Sequence, residues 1–232
     1  MNQTNNSNQR IARIVGVLFL FSLILGMYNN LVLLGPLSFS SDFLTKVGAN
    51  SDSVIQSVLL SLVTGIFSIA IAILLYEPFR QYSKSLAMAF FAFSIIKFCF
   101  GIVDHAAVFA LLSVSNEFLQ TGATDAAAYR MLGNIIANAR ELTHLIDILF
   151  GLLTYFLFFY LMLRTKLLPL FIILFGFLAS ASGATEILLN LFGINHKWHM
   201  AMLLPLALCQ ILFSFWLIIK GFGYSPKIEE LA

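Results

Sequence analysis

Residues 54–76 read VIQSVLLSLVTGIFSIAIAILLY, an apolar run of helical length without one charged side chain. An α-helix crosses the hydrocarbon core of a bilayer with about 20 such residues. Five further stretches meet the same requirement: 11–34, 86–113, 142–164, 167–191 and 198–220. Only helices and closed barrels satisfy every backbone polar group inside lipid. The long Leu, Ile, Phe and Ala runs lack the strict alternation of a barrel strand. The chain therefore reads as all-α: a polytopic integral membrane protein, a bundle of six transmembrane helices whose first partner is the lipid bilayer.

Composition agrees. Hydrophobic residues make up 60% of the chain and charged residues 10%, whereas a soluble domain carries about 25% charged residues. So few charges could not cover a water-facing surface. A formal net charge of +2 gives no basis for a nucleic-acid partner. Cys99 and Cys209 both lie in apolar runs and read as small buried hydrophobes, not as a disulfide or zinc framework.

Arg10 and Arg13 precede the first apolar run, as in a signal peptide. That run continues to Leu34 with no small-residue cleavage site, so it reads as a retained span. Residues 1–10, MNQTNNSNQR, read as a disordered cytoplasmic tail, 11–222 as the six-helix domain and 223–232 as a second cytoplasmic tail. With the N-terminus inside, one side of the membrane holds Arg10, Arg13, Arg80, Lys84, Arg164, Lys166, Lys220 and Lys227. The other holds Lys46, Arg130, Arg140 and Lys197. That asymmetry places both termini in the cytoplasm of a multi-pass cell-membrane protein. Residues 124–140 have helical, amphipathic spacing, with a candidate N-cap at Thr124. They read as an amphipathic extracytoplasmic helix before the fourth span, with Arg130 and Arg140 as its surface charges.

Polar residues inside the spans fall in stripes at helical spacing. Ser57, Ser61, Thr64 and Ser68 in the second span, and Gly176 to Ala184 in the fifth, suit close helix packing. Gln210 and Ser214 form a weaker stripe in the sixth. The ionisable residues need another explanation, because a charge at bilayer depth is costly and marks a functional site by default. Span direction brings Asp104, His105, Glu141, His144, Asp147, Glu186 and His199 towards the outer third of the bundle. Lys97 lies near the midplane, about 10 Å along its helix from Asp104. The expectation is an outward-facing polar pocket that narrows towards Lys97.

Three functions fit such a pocket. One is binding or transport of a small polar or amphiphilic solute, with the carboxylates as a proton or cation relay. Another is metal-dependent intramembrane hydrolysis. Glu141-x-x-His144-x-x-Asp147 and His196-x-x-His199 offer ligand types to a divalent metal, which Asp104 or His105 would complete. The third is a non-catalytic scaffold or regulatory subunit whose polar interior locks helix register. No Ser-His-Asp set and no Gly-rich phosphate loop supports other enzyme classes.

Three stretches carry a resemblance: RIARIVGVL (Arg10–Leu18), the segment from Asp125-Ala-Ala-Ala through His144, and Leu163-Arg-Thr-Lys-Leu-Leu-Pro169. Together they resemble a bacterial family of six-span proteins catalogued as domain of unknown function 4386. The resemblance implies a six-helix bacterial membrane protein, and implies that His144 takes the place of a histidine typical of the fourth span. Leu145, Ile146 and Leu170 stand where the family pattern carries Gly, Tyr and Arg. No activity comes with the resemblance.

The basic-residue asymmetry is tested by fusing reporters to the C-terminus. A fluorescent protein should fold and fluoresce there while alkaline phosphatase stays inactive; the reverse pattern would contradict the orientation.

Overall fold

The computed structural model describes residues 2–38, 42–121, 126–194 and 199–223, and among these the regular structure is helical throughout. Helix α1 (Asn2–Tyr28) passes into a π-helical turn (Asn29–Leu33) and the single turn α2 (Gly35–Ser38). Then come α3 (Phe43–Ala49), α4 (Ser51–Arg80), α5 (Lys84–Gln120), α6 (Ala126–Thr165), α7 (Leu170–Leu191) and α8 (His199–Ile219). Six helices are long and apolar enough to cross a membrane: Ser7–Leu37, Ser51–Arg80, Lys84–Gln120, Ala126–Thr165, Leu170–Leu191 and Ala201–Ile219. The span count read from hydropathy stands.

Two expectations change. Helix α1 begins at Asn2, so residues 2–10 are its first turns and not a disordered tail. Residues 126–140 are not a separate surface helix either, since α6 runs unbroken for 40 residues. No proline interrupts it, and Gly133 lies against Leu44 and Phe43 of α3, so its missing side chain is used in packing. Residues 122–125, including the proposed cap Thr124, lie outside the described residues, as do 224–232 of the second tail.

Helix ends follow local chemistry. Pro169, with extended backbone, precedes α7, where a missing N–H costs nothing. That helix closes at Gly193 (φ 71°), whose N–H reaches Asn190 while Ile194 N–H reaches Leu189. This is a left-handed cap that glycine adopts without strain. The π-turn arises where Leu34 N–H bonds back to Asn29 at 2.9 Å, just before Gly35-Pro36. Asn29 there donates its side-chain N–H to Ser61 Oγ at 2.8 Å.

The chain divides into two compact units. One comprises Met1–Leu23, Phe67–Lys97 and Ile148–Ala232. Its core is aromatic: Phe19, Phe79, Phe90, Phe158, Phe159 and Phe213 meet through a chain of ring contacts, many edge-on. Gly16 fits where α1 and α8 touch; a Cβ there would lie 2.8 Å from the Ser214 carbonyl oxygen. Gly176 is covered by the Phe159 ring, and Gly183 by Leu206 and Leu152. The Ser182 hydroxyl donates to the Met202 carbonyl at 2.8 Å. The small-residue stripe of the fifth span is thus a packing surface. Gln210 is likewise structural, accepting from the Tyr155 hydroxyl and donating to the Phe19 carbonyl.

The other unit comprises Ile24–Ile66 and Phe98–Asp147. Leu34, Leu37, Leu44, Val47, Val54, Val58, Val108, Leu111, Leu112 and Phe118 form its core. Phe98 covers Gly65, which gives the second span's small residues a packing role.

Gly16→Ala should lower the unfolding midpoint in detergent, as overpacking against fixed backbone costs about 1–3 kcal/mol. Gly26→Ala should be silent or mildly stabilising, because nothing lies within 4 Å of a Cβ at Gly26. Equal shifts for the two variants would contradict the α1–α8 contact.

Candidate functional site

Within the second unit, α5 and α6 run antiparallel in a fixed register. Phe118 packs on Tyr129, Asp104 reaches His144, and a Cβ at Gly101 would lie 3.7 Å from Asp147 Oδ1. An advance of three residues on α5, from Gly101 to Asp104, is matched by a retreat of three on α6, from Asp147 to His144. Residues three or four apart share a helix face. Gly101 and Asp104 therefore line one side of the seam, and Arg140, His144 and Asp147 the other.

Asp104 is the centre of this arrangement, with a side chain only 4% exposed. Arg140 Nε stands 3.4 Å from its Oδ1. His105 Nδ1 is 3.6 Å and His144 Nδ1 3.9 Å from its Oδ2. Three bases thus surround one buried carboxylate. His105 also lies within electrostatic reach of Arg140, Asp147 and His144. The groups differ in access: the His144 side chain is 41% exposed, whereas those of Arg140 and His105 are largely covered. His144 is the member of the cluster most open to a partner.

Of the residues singled out from sequence, the structure brings Asp104, His105, His144 and Asp147 together. Glu141 is exposed and takes no part in the contacts around Asp104. Lys97 and Glu186 belong to the first unit. There Glu186 is 1% exposed on α7, and the Lys97 stem lies beside α6, its Cε 3.1 Å from a Cβ built on Gly151. His199 opens α8, but its side chain lies outside the described residues, together with His196, Lys197 and Trp198.

Arg140, expected to be a surface charge, belongs to the cluster. It lies four residues before His144, and that spacing on one helix face was the available signal. Arg130 is exposed and lines a shallow cleft of about 270 Å³ with Asp42, Phe43, Leu44 and Asn134.

A divalent metal fits this donor set poorly. Among the described residues no three His, Cys, Asp or Glu side chains are grouped to hold an ion. The Asp104 carboxylate, which would be the anionic ligand, faces the Arg140 guanidinium, and a metal would have to displace that cation. The arrangement suits exchange of protons and hydrogen bonds instead. It holds two carboxylates, one permanent cation and two imidazoles.

Comparison with the curated proteins and with the solved structures finds no match. A family model described as Domain of unknown function (DUF4386) matches residues 14–221, from within α1 to just beyond α8, and the chain belongs to that family.

Proposed function

We propose that this multi-pass membrane protein binds a small polar solute at the Asp104 cluster, from the extracytoplasmic side, with binding coupled to imidazole protonation. The observation that carries the reading is the buried Asp104 carboxylate with Arg140, His105 and His144 within 4 Å. A group of charges that serves packing alone is expensive at such a position.

Helix length supports access. At 1.5 Å per residue α5 is about 55 Å long and α6 about 60 Å, against a hydrocarbon core of about 30 Å. Tilts of up to about 40° do not absorb the difference. About 20 residues counted from Lys84 along α5 end at Asp104, and the same count back from Arg164 along α6 ends at His144. Both counts put the cluster at the membrane boundary opposite the Arg164 end, where water and solutes arrive. The excess of Lys and Arg at the Lys84 and Arg164 ends supports an extracytoplasmic side for the cluster.

Charge indicates the solute class. With both imidazoles neutral, Asp104 and Asp147 outnumber the Arg140 guanidinium, and the cluster favours a solute bearing an amine. With both protonated, cations outnumber carboxylates and such a solute is expelled. Binding an amine and binding protons therefore compete.

The test uses purified protein and a labelled panel of monoamines, diamines, amino acids and monosaccharides. An amine-bearing member should be retained at about pH 7.5 and released as acid protonates the imidazoles. Asp104→Asn should weaken retention about ten-fold or more at about pH 7.5. Retention of no member, or retention indifferent to Asp104→Asn, would sink the reading.

A further inference from the structure

We infer that Arg164, held by Tyr82, forms with Tyr160 a binding site for the phosphodiester of an anionic phospholipid.

Arg164 stands in the last turn of α6, where the apolar run ends and the chain turns through Lys166 towards α7. Its Nε donates to the Tyr82 hydroxyl at 2.7 Å, and its Cζ lies 4.9 Å from the centre of the same ring. One hydrogen bond and a cation–π contact thus fix an exposed guanidinium in orientation. Its two terminal nitrogens are not used by Tyr82, and they form the fork that matches two phosphate oxygens. Among the described residues no carboxylate pairs with Arg164. Glu77, the acid nearest Tyr82 in sequence, is taken by Arg80 at 2.6 Å.

Tyr160, one turn earlier on α6, interacts with Tyr82, and its side chain is partly exposed. Arg164, Tyr82 and Tyr160 therefore present a cation and phenol hydroxyls as one connected group. Exposed Lys84 and Lys166, each two residues from a member, add positive charge. Below the group, exposed Leu163 and Leu153 on α6 continue the apolar surface that acyl chains would follow. A fixed guanidinium at the edge of an apolar span, with no acid paired to it among the described residues, meets a bilayer at headgroup depth. The phosphodiester of phosphatidylglycerol offers oxygens to the guanidinium fork. In a zwitterionic lipid the choline cation would face the surrounding lysines.

The test compares thermal unfolding of the full chain in detergent with added phosphatidylglycerol, phosphatidylcholine or inorganic phosphate. Phosphatidylglycerol should raise the midpoint most. Arg164→Gln should weaken its apparent affinity about ten-fold. Arg164→Lys keeps the charge without the fork and should lose part of the effect. Tyr82→Phe keeps the ring, removes the hydroxyl that positions the guanidinium, and should lose part as well. An equal response to phosphatidylcholine, or an undiminished response in Arg164→Gln, would overturn the inference. Inorganic phosphate matching the lipid would make this a free-anion site and overturn it too. If Arg164→Gln does not fold, Tyr82→Phe and Arg164→Lys decide: full response in both rejects the site.

Discussion

Lipid offers no hydrogen bonds, and this constraint orders everything else in the protein. Backbone polar groups are closed inside helices, and each polar side chain within a span must find its company in the protein. Most do so locally and cheaply. Ser94, Ser115, Thr154 and Thr165 bond back to carbonyls one turn earlier. Asn29 reaches Ser61, and Gln210 links Tyr155 to the Phe19 carbonyl. These bonds remove polar atoms from lipid without creating a charge.

Asp104 is different in kind. A carboxylate cannot be silenced by a carbonyl, so it gathers a guanidinium and two imidazoles around itself at the α5–α6 seam. The antiparallel register makes that possible by putting Arg140 and His144 on one face of α6 opposite Asp104. Replacing such a group by apolar side chains is often neutral or stabilising. Such a group is therefore expensive to keep for packing alone, which is why solute binding is proposed for it. Arg164 at the far end of α6 is a contrasting case, an exposed cation held by the Tyr82 phenol.

The spans were legible because hydropathy over about 20 residues is a bulk property that needs no knowledge of neighbours. Helix limits were less so. Residues 126–140 look like an interfacial helix because Tyr129, Ile136 and Arg130 alternate between apolar and polar faces. The apolar side is instead used against Phe118 and α3 within a continuous helix. The short helix α3 had a signal in Asp42 followed by Phe43, Leu44 and Val47, a turn-starting acid before apolar residues at helical spacing.

Most of the cluster could be read in advance. Asp104, His105, His144 and Asp147 stood out because charge is rare in spans, and all four lie in it. Arg140 was missed because a basic residue near a predicted helix end is ordinarily solvated, and only the register across the seam shows otherwise. Glu186 was read at the outer level and Lys97 near the midplane from span direction alone. Backbone packing assigns those two residues to the first unit.

The central claim is that Asp104 and Arg140 are coupled across the α5–α6 seam, and a double-mutant cycle tests it directly. Unfolding free energies of Asp104→Asn, Arg140→Gln and the double variant should be non-additive by about 0.5–3 kcal/mol, the range for residues in one charged network. Additive losses would mean that the two side chains do not meet, and the cluster would lose its centre.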